Sequence, residues 1–158
     1  MSETFEAAPA PLHFKLVIDC ADPQAQADFW AAALHYTAED NGAFIERLLE
    51  AGALPGEATV EYHGRLAFRD LVAVRHPQDP FDADSGTGLG RRLLFQRVPE
   101  AKSAKNRLHL DVHAGPERRD AEVERLTALG ASVLREVKEP SGQWVVMADP
   151  EGNEFCVQ

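Results

Sequence analysis

Hydrophobic and polar positions alternate near the start of the chain and again beyond its middle. The segment LHFKLVIDC (12–20) places Phe14, Leu16 and Ile18 against mainly polar neighbours, and RLHLDVHA (107–114) repeats the pattern with three aliphatic residues. A period of two is typical of a half-buried strand. A strand is therefore predicted in each half of the chain.

A helical pattern follows each of these strands. After the first, Asp22 is a candidate N-cap and Pro23 occupies the first helical position, ahead of apolar residues at helical spacing. After the second, the pattern predicts a helix that begins at Pro116 and ends at Gly130. The strand–helix order is thus repeated.

Three short strands are predicted after the second helix. They are SVLREV, QWVVMAD and NEFCVQ, and the turn sequences EPSG and DPEGN separate them. The second half of the chain is therefore predicted to be a β-α-β-β-β unit.

The first half is predicted to be the same unit, lengthened by an insertion. An amphipathic segment, NGAFIERLLEAG, precedes two strand candidates, ATVEY and RLAFRDLVAVRH, a polar loop and the strand RRLLFQRV. Gly86, Gly88 and Gly90 in that loop precede a strand instead of opening a helix, so they indicate a flexible loop and not a phosphate cradle. Loops of this length are more often functional or mobile than inert.

These elements predict one α+β domain. A first βαβββ module at 11–99 carries the insertion, with a helix and a long loop, at about 41–90, and a second occupies 106–158. Residues 1–10 are expected to be a flexible tail.

Composition narrows the function classes. The net charge is −10 and no basic stripe is present, which argues against binding to nucleic acid or to anionic membranes. No apolar run approaches a membrane span, and the start of the chain lacks the features of a signal peptide, so a cytoplasmic location is expected. Cys20 and Cys156 are the only cysteines, and both are expected to be reduced.

Three stretches carry a family resemblance: IDCADPQAQADFWAAALHY, RLLFQRVPEAKSAKNRLHLDVHAG and LGASVLREVKEPSGQWVVMADPEGNEFCV. They resemble the vicinal oxygen chelate superfamily, which includes glyoxalase I, bleomycin-resistance proteins and extradiol dioxygenases, and most specifically its small bacterial glyoxalase-like domains. The resemblance covers most of the chain apart from the tail and residues 41–90. It implies that the two modules form a curved mixed sheet shaped as a cup, with helices on the convex side.

The resemblance also implies which side chains occupy the family's four metal-ligand positions in the cup: Lys15, Gln96, Arg107 and Cys156. Their neighbours Leu16, Phe95, Leu108 and Phe155 are expected on the opposite, helix-covered face. Neither an ammonium nor a guanidinium group can bind a cation, so no metal cofactor is expected. A displaced divalent site at His109, Asp111 and His113 stays open as an alternative, although residues i and i+4 of a strand are roughly 13 Å apart and only two adjacent members could share one ion.

The same residues suggest a site for a small anion. Lys15 and Arg107 would form a positive patch for a carboxylate, enolate or phosphate, with Gln96 and Cys156 beside them. His109 could donate or accept a proton, and Trp144 could form an aromatic wall. Alternatively, the two cations only neutralise acidic neighbours, and Cys156 is a small buried residue instead of a nucleophile.

Three functions stay open at this point. The first is a metal-free binding protein of the antibiotic-resistance type, holding a small, anionic molecule. The second is a lyase or isomerase with His109 as its catalytic acid or base. The third is a metal-dependent enzyme of the glyoxalase or dioxygenase type with displaced ligands. A homodimer is expected, because open sheet edges need covering and family members often complete their cups across a dimer.

Overall fold

The structure is a computed structural model that describes residues 8–158. The first seven positions of the predicted tail therefore lie outside the described residues, and residues 8–15 have no regular secondary structure. The first strand, β1 (Leu16–Cys20), leads into α1 (Pro23–Leu34). As predicted, Asp22 caps α1: its side chain accepts a hydrogen bond from the backbone N–H of Ala25 over 3.1 Å.

The remaining elements continue the repeat. The first module adds β2 (Thr37–Ala38), α2 (Gly42–Glu50), a short 3-10 helix (Gly56–Ala58), β3 (Thr59–Tyr62), β4 (Arg65–Phe68), β5 (Leu71–Arg75) and β6 (Arg92–Arg97). The second module contains β7 (Leu110–Val112), α3 (Arg119–Ala128), β8 (Ser132–Glu139), β9 (Gly142–Ala148) and β10 (Glu154–Val157). Among the described residues, no helix is both long enough and apolar enough to span a membrane.

The strands form two four-stranded sheets with the same internal order. The first sheet runs β1-β6-β5-β2 and the second β7-β10-β9-β8. In each sheet the first strand of the module is parallel to the last, and the other neighbours are antiparallel. The repeated order confirms the predicted α+β fold of two βαβββ modules with mixed sheets.

The strands of the first module depart from the prediction in three ways. The sequence pattern does not indicate β2, because two residues are too few to show alternation. The predicted strand RLAFRDLVAVRH is interrupted at Arg69 and Asp70, so that β5 joins the first sheet while β4 does not. β3 and β4 form a separate hairpin, and its turn has positive φ at both His63 and Gly64.

Three predicted element boundaries are wrong. β1 begins at Leu16, because the pairing with β6 begins there, and the preceding Leu12 and Phe14 are 95% and 87% exposed. β7 has only three residues. α3 begins at Arg119 instead of Pro116, since the intervening residues form a turn.

The helices cover one face of each sheet. α1 packs on β5 and β6, and α3 packs on β8 and β10. The two covered faces contribute to one hydrophobic core, in which the rings of Trp30 and Phe155 lie 5.1 Å apart between centroids. The other side of each sheet is called its open face here, and it carries the candidate sites.

The first and last of the three stretches that carry the family resemblance contact each other through Asp149. This buried carboxylate accepts hydrogen bonds from Gln26 Nε2 (2.8 Å) and Trp30 Nε1 (3.0 Å) of α1. In the turn after Asp149, Glu151 accepts hydrogen bonds from the backbone N–H groups of Ala21 and Asp22. The ADP and DPEGN sequences therefore join the two modules, which is a structural role.

The loop at 77–90 is docked on the first module, so the expectation of a flexible loop is wrong. The backbone N–H of Gly88 donates to Glu39 Oε1 over 2.7 Å, and Asn41 Nδ2 donates to the carbonyl oxygen of Ser85 over 2.7 Å. A Cβ on Gly86 would lie 1.9 Å from the backbone oxygen of Asp40. The glycines therefore allow close packing of the loop against the sheet.

Candidate functional site

The open face of the second sheet carries a cavity of about 510 Å³, called the second-sheet cavity below. The strand register places Asp111 of β7, Cys156 of β10 and Val146 of β9 side by side, and Trp144 lies two residues from Val146. His109, Trp144 and Cys156, which are half of the predicted ligand-binding set, line this cavity. The full lining is Lys105, His109, Asp111, Leu134, Arg135, Trp144, Val146, Glu154, Phe155, Cys156 and Gln158.

His109, Asp111 and Cys156 form a compact polar cluster in this cavity. His109 Nε2 lies 3.3 Å from Asp111 Oδ1, and one donor atom from each of the three residues lies within 4.8 Å of the others. His109 and Asp111 share a face because they are two positions apart, and Cys156 is the direct neighbour of Asp111 across the parallel strand pair. His113 is not part of the cluster, because it lines a different cleft.

Both thiols are held in their protonated form. Burial raises the pKa of Cys156, and the nearby Asp111 carboxylate raises it further, while Arg135 and Lys105 lower it to a smaller extent. Burial likewise raises the pKa of Cys20 to about 12, with a contribution from Glu151. A thiol is a weak nucleophile in this state, so the cavity provides no activated cysteine.

Two cations in this cavity were not identified from the sequence. Among the described residues, neither Lys105 nor Arg135 lies within ion-pair distance of a carboxylate. The two carboxylates in the lining already have other partners: Glu154 pairs with Lys102 over 3.1 Å, and Asp111 contacts His109. The cavity therefore contains positive charge that is not neutralised internally.

A β-bulge accounts for the position of Arg135. β8 and β9 pair in register on both sides of Leu134, but Leu134 itself has no partner. As a result, Leu134 and Arg135 both line the cavity, whereas strict alternation would place them on opposite faces. The SVLREV pattern contains no indication of a bulge, and Lys105 precedes β7 in a segment without regular structure.

Comparison with known proteins assigns the family. The profile of a family described as a glyoxalase-like domain matches residues 15–158. This chain belongs to the glyoxalase-like family. No curated protein sequence matches it at a significant level.

Solved structures share the glyoxalase-like fold at low sequence identity. A glyoxalase/bleomycin resistance protein/dioxygenase family enzyme from Burkholderia phytofirmans has a TM-score of 0.55 at 15% identity and covers 90% of this chain and 94% of its own. The fosfomycin resistance protein FosX from Listeria monocytogenes, a mutant solved with Mn(II) and 1S,2S-dihydroxypropylphosphonic acid, has a TM-score of 0.55 at 11% identity, with 91% and 86% covered. The bleomycin-binding protein from Streptomyces verticillus, in complex with copper(II)-bleomycin, has a TM-score of 0.52 at 16% identity, with 96% and 98% covered.

The other predicted site residues of this glyoxalase-like chain lie elsewhere. Lys15 is exposed and lines a cleft between the modules, whereas Arg107 lines a separate cleft of about 560 Å³ beside β1 and β7. Gln96 is exposed on β6, opposite Asp19 of β1. Among the described residues, Lys15 and Arg107 therefore line different clefts. Neither forms the expected ion pair with an acidic neighbour among the described residues.

Three of the four residues expected on the helix-covered faces lie there. Phe95 and Phe155 are buried in the core, and Leu16 packs against it. Leu108 is 76% exposed, which contradicts the expectation, because it lies before β7 and is not paired in the sheet. The predicted strand RLHLDVHA is therefore formed only at Leu110–Val112.

By donor chemistry, the polar cluster fits a divalent ion. An imidazole, a carboxylate and a thiol are suitable donors for a borderline ion such as Zn²⁺, and less so for Mn²⁺, which prefers oxygen. The ligands would be His109, Asp111 and Cys156, with the thiol losing its proton on binding.

Proposed function

We propose that this glyoxalase-like chain binds a small anionic molecule with a flat apolar part in the second-sheet cavity, as a binding protein of the resistance type. The observation that carries the proposal is the presence of Lys105 and Arg135, without carboxylate partners in the described chain, in the same cavity as Trp144.

The charges favour an anion. A guanidinium group can bind a carboxylate or phosphate through two parallel hydrogen bonds, and a second cation adds attraction without competing for the same geometry. Glu154 is paired with Lys102, and Asp111 does not lie within ion-pair distance of Arg135 or Lys105 in the described chain. The anionic group of the ligand would complete the ion pairs.

The walls favour an aromatic or aliphatic body. Trp144, Leu134 and Val146 provide an apolar surface beside the charges, and Trp144 is half-buried. Ligand pockets commonly combine such a surface with a few polar groups that orient the ligand. Benzoate and phenylphosphonate, which have one ring and one acidic group, therefore serve as probes.

The test is a thermal-shift screen of these two probes, followed by titration calorimetry. A ligand that binds only the folded state raises the melting temperature. Arg135→Gln is expected to weaken phenylphosphonate binding about tenfold, since loss of a charge-assisted hydrogen bond costs roughly 1.5 kcal/mol or more. Trp144→Leu is expected to weaken binding to a similar extent, because it removes the aromatic surface against which the ring would pack.

Arg107→Gln is the matched control. It removes the same charge from a neighbouring cleft, so binding is expected to stay unchanged. If Arg107→Gln weakened binding and Arg135→Gln did not, the site would be the one expected from the sequence. Absence of stabilisation by either probe would contradict the proposal.

A second candidate function is acid–base catalysis, and the contact between His109 and Asp111 favours it. A carboxylate beside an imidazole orients the ring, as a catalytic acid or base requires. NMR spectra of each stabilising compound, incubated with the protein, would reveal a chemical change. His109→Ala is expected to abolish that change while leaving the fold intact, and persistence of the reaction in this variant would exclude the role.

A metal-assisted enzyme is the third candidate, and the cluster of three donor groups favours it. A bound divalent ion would polarise an oxygen atom of the substrate. Elemental analysis of the dialysed protein, followed by Zn²⁺ titration of the wild type and of Cys156→Ala, separates it from the metal-free proposal. Stoichiometric metal that is lost in Cys156→Ala would support the third candidate.

We also propose that the chain forms a homodimer. β1 and β7 each pair with a single strand within their sheets, and Phe14 and Leu108 are exposed near these edges. A second copy would cover both the edges and these apolar side chains. Size-exclusion chromatography with light scattering is expected to give twice the monomer mass for the wild type and the monomer mass for Leu108→Glu. A monomeric wild type would refute the dimer.

A further inference from the structure

A cleft of about 1140 Å³ lies between the two modules, beside the end of α1 and the start of α3. It shares only Asp111 with the second-sheet cavity, and the proposed function makes no use of it. Its polar lining includes four of the six histidines in the chain: His13, His35, His76 and His113. Small-molecule sites commonly lie at such junctions between structural units.

Apolar side chains from both modules line this cleft. They are Leu16, Leu34 and Leu93 from the first module, and Leu110, Val112 and Ala114 from the second. Leu93 belongs to the hydrophobic core, and the other five pack against that core while they stay partly exposed. The cleft therefore has an apolar wall on each module, and an alkyl chain between the two walls would remove both from water.

The arginines on the wall from the first module are already neutralised. Arg91 donates to both carboxylate oxygens of Asp79, over 2.8 and 2.9 Å, and these bonds hold the pKa of Asp79 well below its usual range. Arg92 binds the buried Glu39 through two contacts of 2.8 Å. Neither guanidinium group is therefore left to bind a ligand.

The formal charges on the wall from the second module cancel when histidine is counted as neutral. Contacts with Arg125, over 2.7 and 3.0 Å, and with Arg118, over 3.2 Å, lower the pKa of Glu122. Asp111 supplies the second negative charge of this wall. Arg125 also donates to two carbonyl oxygens at the end of α1, each over 2.8 Å, so it holds the two modules together beside the cleft.

Lys15 is the charged residue of the lining that stays uncompensated. In the part of the chain that the structure describes, no carboxylate lies within ion-pair distance of its ammonium group. Lys15 directly precedes Leu16, so this charge lies beside the apolar wall of the first module. The cleft thus combines one positive charge with two apolar walls.

We propose that this cleft binds a medium-chain carboxylate, a molecule with one acidic group and an unbranched alkyl chain. The carboxylate pairs with Lys15, and the chain lies between the apolar walls of the two modules. A second acidic group would find no uncompensated cation there, and the cost of removing it from water would oppose binding. The ligand therefore differs from the flat aromatic anion proposed for the second-sheet cavity.

The test is titration calorimetry at pH 8.0 with straight-chain carboxylates. Affinity is expected to rise about two- to threefold with each methylene group from butanoate to octanoate, because each added group buries apolar surface. Octanedioate, which has an acidic group at each end of its chain, is expected to bind about tenfold more weakly than octanoate. An affinity that does not depend on chain length, or octanedioate that binds at least as tightly as octanoate, would overturn the inference.

Two variants separate the charge from the apolar walls. Lys15→Gln is expected to weaken octanoate binding about threefold and to leave the binding of uncharged octan-1-ol unchanged. Val112→Thr, which replaces a methyl group of the wall by a hydroxyl group, is expected to weaken the binding of both probes about threefold. Equal octanoate binding by the wild type and by Lys15→Gln would contradict the proposal.

Lys138→Gln is the matched control for Lys15→Gln. It removes one charge at an exposed strand position outside both cavities, so octanoate binding is expected to equal that of the wild type. A threefold loss in Lys138→Gln as well would show that the net charge of the protein, and not the position of Lys15, determines the affinity.

Competition distinguishes this cleft from the second-sheet cavity. Octanoate is expected to bind with the same affinity in the presence of saturating phenylphosphonate. Displacement of octanoate by phenylphosphonate, or loss of octanoate binding in Arg135→Gln but not in Lys15→Gln, would assign octanoate to the second-sheet cavity and overturn the inference. If phenylphosphonate does not bind at all, the proposed function fails, while the comparison of Lys15→Gln with the wild type still decides the present proposal.

Discussion

The open faces of the two sheets share a strand order but differ in how their charges are satisfied. On the first sheet, Glu39 is buried next to the loop at 77–90 and binds Arg92 through two contacts of 2.8 Å, as well as the N–H of Gly88. On the second sheet, the side chains of His109 and Asp111 are 46% and 44% exposed. In the first module the loop at 77–90 packs against this face, and the second module has no equivalent loop.

The two modules share one topology, but the first face has a structural role and the second face is available to a ligand. The insertion brings a loop whose backbone completes the shell around a buried carboxylate, so the first face is satisfied internally. The second face keeps Lys105 and Arg135 without carboxylate partners in the described chain, and its polar cluster is open to solvent. Charges that are not neutralised by the protein are available to a ligand.

The largest effect is expected when the buried pair on the first face is broken. Glu39→Gln leaves the guanidinium of Arg92 buried without a counter-charge, which should lower the free energy of unfolding by about 3–5 kcal/mol. Urea unfolding at pH 7 measures the loss. Asp111→Asn, the equivalent acid-to-amide change on the exposed second face, should cost less than about 0.5 kcal/mol. Equal losses in the two variants would remove the distinction between the faces.

The docked loop should be sensitive to a single methyl group. Gly86→Ala places a Cβ 1.9 Å from the backbone oxygen of Asp40 at a φ of +77°, and should cost about 2–3 kcal/mol. Gly52→Ala has a similar φ of +67° but no atom within 4 Å, and should cost only about 1 kcal/mol. Urea unfolding and proteolysis within residues 77–90 report the two effects. Equal losses in the free energy of unfolding for the two variants would mean that close packing of the loop does not contribute to stability.

On the second face, a substitution should change the reactivity of Cys156 more than the free energy of unfolding. The Asp111 carboxylate helps to raise the pKa of Cys156, so Asp111→Asn lowers that pKa and increases the thiolate fraction at a given pH. Alkylation of Cys156 by iodoacetamide at pH 8 should accelerate roughly two- to fivefold. Mass spectrometry of the modified peptide measures the rate, with Cys20 as an internal reference. A slower reaction would contradict the assigned contact.

The smallest effect concerns acid stability at the loop. Because Arg91 lowers the pKa of Asp79, this carboxylate stabilises the folded state fully above the unfolded pKa of about 3.9, and the contribution is lost as the pH falls through the lower folded pKa. Asp79→Asn should therefore lower the melting temperature slightly at pH 7, and by less at pH 3. A decrease in melting temperature that is larger at pH 3 than at pH 7 would contradict this prediction.

Local patterns were sufficient for most of the fold. Capping of α1 by Asp22, the hairpin turn at His63 and Gly64, and the turn that contains Asp149 depend on residues close together in the chain. The strand–helix repeat likewise needs only short-range periodicity, and it predicted both modules and led to the correct family. Element ends were less accurate, because pairing partners determine where a strand begins.

The candidate site was only partly predictable. His109 and Cys156 share a cavity because strand alternation and the closing motif place them on one face, and both are visible in the sequence. Lys15 and Arg107 share the same alternation but lie in separate clefts, because alternation specifies a face and not the distance between two sheets.

By itself, the sequence determined the two modules, their caps and turns, and the side of each strand that meets the helices, because these follow from propensities and periods over a few residues. Tertiary structure alone decided which charges lie together. The bulge at Leu134, the docking of the loop on Glu39 and the gathering of four histidines between the modules all join residues that are distant in the chain or depend on partner strands. Such contacts arise from the packing of whole elements, and no local pattern encodes them.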